Sequence, residues 1–168
     1  QVENRDQRDM WYAIGAHPGF NCPMEEGFAF EDYQLVFEKE EEAVSIPYDL
    51  DQLHFSPSRQ GIRLKGCTLS LNREMFKNDA VFFDKLNSRM VSILNPATGR
   101  GVEVGFPGFE TVAFWTLYPE PAPYLCVEPW NGSGIYENED DQLSHRHHIQ
   151  HLLPGDSHSY VMTIRILG

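Results

Sequence analysis

Short β-prone runs, most of them alternating apolar and polar residues, follow one another along almost the whole chain. They fall at 10–14, 32–38, 61–64, 68–71, 81–83, 90–94, 101–106, 111–116, 124–128 and 159–166. Alternation at period two places successive side chains on opposite faces of an extended backbone, which is the mark of a half-buried β-strand. Pro, Gly, Asn and Asp punctuate the runs and read as turns. The segment 95–100, Asn-Pro-Ala-Thr-Gly-Arg, has the composition of a hairpin connector between two of them. No stretch carries a long apolar stripe at 3.6-residue spacing. The pattern therefore predicts an all-β antiparallel sandwich or barrel with little helix. The acidic run Glu38-Lys39-Glu40-Glu41-Glu42 is expected at a solvated strand end or turn.

Composition narrows the function classes. A chain of 168 residues with 41% apolar content is long enough to bury a core and is read as a single domain, 1–168. It has no apolar run near the roughly 20 residues of a membrane-spanning helix, so no membrane partner is expected. The formal charge of -12 argues against nucleic acid, since phosphate contacts need Lys and Arg, and it favours a neutral ligand. Cys22, Cys67 and Cys126 are odd in number and widely spaced, which suits free thiols in a reducing compartment, the cytoplasm. Cys126 shares a strand face with Glu128 by two-residue periodicity and is expected to be buried and inert.

Two places carry candidate chemistry. In Ile14-Gly15-Ala16-His17-Pro18-Gly19-Phe20-Asn21 and in Leu125-Cys126-Val127-Glu128-Pro129-Trp130-Asn131-Gly132, one ionisable side chain stands where a β-prone run gives way to Pro, Gly and Asn. An imidazole and a carboxylate at two strand ends are an acid/base couple in outline; their plainer reading is two solvated polar residues. Trp130 is expected at a pocket or its rim and Trp115 in the core. Asp79 is either a hydroxyl acceptor or a turn cap, with Asp84 close by in sequence. His145, His147, His148 and His151 form a cluster expected in an exposed polar helix or turn. If that segment is helical, His147 and His151 have zinc-like spacing, but no metal is expected there.

The two motifs resemble those of the aldose 1-epimerase (galactose mutarotase) family, in its aldose-epimerase-like branch, and the likeness runs over nearly all of the chain in the same order. It implies a galactose mutarotase-like supersandwich. It also implies that His17 is the general acid, with Phe20 and Asn21 behind it as substrate-binding residues. Glu128, with Pro129 and Trp130 after it, is then the general base. Asn78-Asp79-Ala80 matches the place of the family's hydroxyl-binding Asp. The implied ligand is a free monosaccharide, and neither metal nor nucleotide cofactor is implied. Family members are nearly twice this long, and their first half supplies an Arg and a second His with no match here. The chain is accordingly read as the C-terminal part of a longer member, incomplete at the N-terminus and with an exposed sheet edge there. Two other readings stand beside the enzyme. One is a non-catalytic carbohydrate-binding protein on the same sandwich. The other, resting on the histidine cluster alone, is a metal-dependent cupin-like enzyme.

Overall fold

A computed structural model describes residues 1–140 and 142–168. Sixteen strands run in chain order: β1 (Val2–Glu3), β2 (Met10–Tyr12), β3 (Ile14–Gly15), β4 (Gly19–Asn21), β5 (Gln34–Val44), β6 (Tyr48–Asp49), β7 (His54–Phe55), β8 (Arg63–Ser70), β9 (Val81–Phe83), β10 (Met90–Leu94), β11 (Gly101–Gly105), β12 (Thr111–Trp115), β13 (Tyr124–Asn131), β14 (Gln150–Leu152), β15 (Ser157–His158) and β16 (Thr163–Leu167). Short 3₁₀ turns at Phe30–Asp32, Arg73–Phe76 and Leu143–His145 are the helical elements among the described residues. One antiparallel sheet has the order β16-β11-β10-β5-β8; the other has the order β3-β13-β12-β9, with β4 also pairing β13.

The two sheets form a sandwich because alternate residues of each point into one shared core. Leu35, Phe37, Val91, Ile93, Val102 and Val104 come from the first sheet; Val81, Phe83, Val112, Phe114, Leu125 and Val127 come from the second. Phe37 meets Phe114 and Phe83 edge-on across the gap, with ring centroids 6.0 and 6.4 Å apart. The intervening residues of β9, β12 and β13 face the other way. There Phe82 and Ala113 belong to a second apolar cluster with Ile46, Phe55 and Tyr136, and Trp130 packs against it. This outer face of the second sheet holds the candidate chemistry.

Three expectations need correction. The acidic run is neither a strand end nor a turn: it lies inside β5, where the pairing with β8 shifts between Val36 and Glu41. That bulge turns Glu41 inward, where it is 4% exposed and accepts hydrogen bonds from Ser88 N (2.7 Å), Ser88 Oγ (2.6 Å) and Asn87 N (2.9 Å). The runs at 61–64 and 68–71 are one strand, β8, which passes through Gly66 at φ 86°. Of the run 159–166 only the end forms a strand, in β16; 159–162 lie between β15 and β16 outside any strand. The 95–100 connector closes the β10–β11 hairpin as expected, with Gly99 at φ 74° and Leu94 opposite Gly101.

Candidate functional site

Glu128 lies in the middle of β13, on the face away from the core, with Ala113 of β12 directly across and Phe82 of β9 beyond it. The small Ala113 leaves room beside the carboxylate, while Phe82 and Trp130, 5.6 Å apart, wall it in. On the other flank of β13, Gly15 pairs with Trp130 and Gly19 with Cys126. Continuing that register brings His17 opposite Glu128. The backbone keeps the ladder around the gap: Ala16 N donates to Pro129 O at 3.1 Å, and Val127 N donates to Pro18 O at 3.1 Å. Two residues far apart in the chain are thus a cross-strand pair, the closest relationship a sheet offers.

His17 Nε2 is 3.3 Å from Glu128 Oε1; the histidine side chain is 60% exposed and the glutamate 4%. The pair lines a cleft of about 360 Å³ together with Ile14, Gly15, Trp130 and Asn131, a volume typical of small-molecule sites. Gly15 is required here. A Cβ on it would stand 2.5 Å from Trp130 Cδ1, so any side chain would push the indole aside. Burial, and next the charge of Asp79, push the Glu128 carboxyl up to about 7. The Cys126 thiol is pushed up to about 11 by burial and by the neighbouring Glu128.

Asp79 takes φ 73°, a left-handed conformation that Asp tolerates better than most residues. It lies beside the cleft, in a hollow it shares with Trp115 and Lys77. Trp115 is the residue that sequence reasoning misplaced. It stands on the site face opposite Cys126, not in the core, and its ring lies 5.9 Å from that of His17, nearly perpendicular to it. The parity of β12 carries that signal, since Val112 and Phe114 face the core and Trp115 must then face away. Phe20 is displaced in the opposite sense: it packs against the main core instead of lining the cleft. Asn21 pairs with Tyr124 on the site face but lies outside the cleft lining. Trp130 stands on the cleft wall, half-buried.

The histidine cluster is not helical. A 3₁₀ turn ends at His145 and β14 begins at Gln150, so the helical spacing of His147 and His151 does not arise. Each ring takes a different carboxylate instead. His145 contacts Asp140 (2.8 Å), His147 contacts Glu139, and His151 contacts Asp9 (2.8 Å). His148 sits between Glu110 (2.9 Å) and Asp84 (3.7 Å), and the two carboxylates raise its pKa. Asp84, the sequence neighbour of Asp79, is thereby engaged away from Glu128. Among the described residues, the donor atoms that do converge belong to His17, Cys126 and Glu128. All three cysteines are free, and no described helix is long and apolar enough to cross a membrane.

An antiparallel sandwich with a cleft over the outer face of one sheet is the fold this chain shares with solved galactose mutarotase-like proteins. The galactose mutarotase related enzyme of Lactobacillus acidophilus superposes with TM-score 0.83 at 25% identity, over 98% of this chain and 54% of that one. A galactose mutarotase-like protein from Lactobacillus casei shares the fold, with TM-score 0.73 and 18% identity, over 98% and 56%. The protein LacX of Lactococcus lactis subsp. lactis is 34% identical over the whole chain, which covers 56% of LacX. In fold the chain is similar to these solved galactose mutarotase-like proteins. It spans about half the length of the curated relatives it matches. No protein-family model matches it.

Proposed function

We propose that the chain carries the acid/base pair of an aldose 1-epimerase-like enzyme, which interconverts the α and β anomers of a free aldose. Glu128 takes the proton of the C1 hydroxyl. The freed electron pair forms the C1=O double bond and the bond from C1 to the ring oxygen breaks. His17 donates a proton to that oxygen. Rotation about C1–C2 presents the other carbonyl face, and the same two transfers in reverse close the ring. Protons, atoms and electrons balance over the cycle, so neither metal nor redox cofactor is called for. Asp79 accepts a hydrogen bond from a sugar hydroxyl and Trp130 covers the C–H face of the ring. The observation that carries this reading is the 3.3 Å approach of an exposed imidazole to a buried carboxylate at a cleft of about 360 Å³. The exposed ring is free to turn toward the ring oxygen while the buried carboxylate stays fixed, which is the division of labour ring opening needs.

Polarimetry on freshly dissolved α-glucose and α-galactose tests it with the intact protein. Glu128→Gln is expected to lower the anomerisation rate by about 10²–10⁴-fold, the usual contribution of one positioned acid/base group. Sugar affinity should change little, because the amide keeps the shape but cannot accept the proton. Wild-type rates in that variant would remove Glu128 from the mechanism. Sugar binding without any anomerisation by the wild type would instead establish the binding-protein reading.

A further inference from the structure

We propose that His17, Cys126 and Glu128 form an inhibitory site for a divalent zinc ion, open to the cleft on its fourth side. Each residue supplies one donor, a nitrogen, a sulfur and an oxygen, and the three donor atoms all lie within 4.8 Å of one another. Tetrahedral zinc with bonds of about 2.0–2.3 Å sets its ligand atoms roughly 3.3–3.7 Å apart. The His17–Glu128 pair already stands at 3.3 Å. Closing the sulfur onto the same centre takes a shift on the order of 1 Å, within the reach of side-chain rotation.

The sheet builds this arrangement. Cys126 and Glu128 are two apart on one face of β13, and His17 is brought over them by the strand pair β3 and β4. Cys126 is buried, at 4% exposure, and Gly19 opposite it carries no side chain to press on the sulfur; a Cβ there would stand 3.4 Å from it. Sulfur and imidazole suit zinc over magnesium or calcium, which prefer all-oxygen shells. Three protein ligands and one vacant position is the pattern of an accessible zinc site.

Binding releases the thiol proton to solvent as the zinc–sulfur bond forms. Inhibition rests on the acid/base roles proposed above, since zinc and substrate would compete for the same imidazole and carboxylate; binding does not rest on them.

The experiment uses intact protein stripped with chelator, and two probes. Zn²⁺ titrated by calorimetry is expected to bind one to one. Co²⁺ in its place is expected to give a thiolate-to-metal charge-transfer band in the near ultraviolet. Cys126→Ser should abolish the band and weaken Zn²⁺ at least tenfold, with circular dichroism confirming the fold. His17→Ala, at an exposed position, should weaken Zn²⁺ similarly and covers the case in which the cysteine variant does not fold. Zn²⁺ inhibition, scaled to each variant's own metal-free rate, should be at least tenfold less sensitive in Cys126→Ser. A band that persists without Cys126, the absence of stoichiometric binding at millimolar metal, or Zn²⁺ binding as tight as wild type in both variants (metal held by the surface histidines) would each overturn the site. A protein that shows the Cys126-dependent band but no anomerisation would keep this site and discard the proposed function.

Discussion

Glu128 is where local chemistry and stability pull in opposite directions. Its carboxyl lies near 7 in the folded protein against an ordinary 4.5, with burial the larger cause and Asp79 the lesser. The native state therefore holds that proton more tightly than the unfolded chain does. Its contribution to stability is full below about pH 4.5 and is lost as the pH rises through 7, by roughly 3 kcal/mol at most. Glu128→Gln removes this titration. The variant is expected to gain about 2–3 kcal/mol over wild type at pH 8 and little at pH 4.5. Urea unfolding at the two pH values measures it, and an equal offset at both would show that the ionised carboxylate is not strained by its surroundings. The same group gives the rate its pH dependence: anomerisation should rise between pH 6 and 8 as Glu128 deprotonates.

At the scale of the element, β5 and β3 show how a strand's irregularities serve its neighbours. The shift in β5 turns Glu41 toward the backbone of Asn87 and Ser88, and so ties the β9–β10 connection to the first sheet. Glu41→Ala leaves those buried donors without an acceptor and is expected to cost about 3 kcal/mol, read from denaturant midpoints. A loss under about 0.5 kcal/mol would mean that water replaces the carboxylate. In β3, Gly15→Ala forces Trp130 off the cleft wall, because its new methyl would lie 2.5 Å from the indole. The expected signature is a higher KM for sugar with a smaller change in kcat, since Glu128 and His17 keep their backbone pairing. An unchanged KM would remove Trp130 from the sugar contacts.

Across the whole molecule, an open apolar edge lies at β16. β1 is paired with β15, whereas β16 closes the first sheet with Ile164 50% and Ile166 77% exposed. An edge strand with apolar side chains on its surface is a template for pairing with another chain. The 168-residue chain by itself is expected to self-associate at high concentration, and Ile166→Lys to reduce that association in sedimentation velocity. A wild-type chain that remains monomeric would show that the edge is adequately guarded by Arg165 and its ion pair with Glu103.

The sequence by itself determined the fold class, because a series of short β-prone runs, most of them at period two as in 101–106, follows directly from strand geometry and needs no knowledge of partners. It also marked His17 and Glu128, because both stand where a β-prone run breaks at Pro and Gly. It could not place Phe20 and Trp115 correctly. Which face of a strand turns to the core depends on which sheet it faces, and parity puts Phe20 inside and Trp115 beside His17 only once β4 and β12 are paired. Nor did it reveal the fate of Glu41, since a bulge arises from a mismatch between two strands and neither strand announces it alone. The meeting of His17 with Glu128 belongs wholly to the tertiary structure. It follows from the register of β3 and β4 on β13, where a slip of one residue would turn the imidazole to the opposite face and leave the carboxylate without its partner.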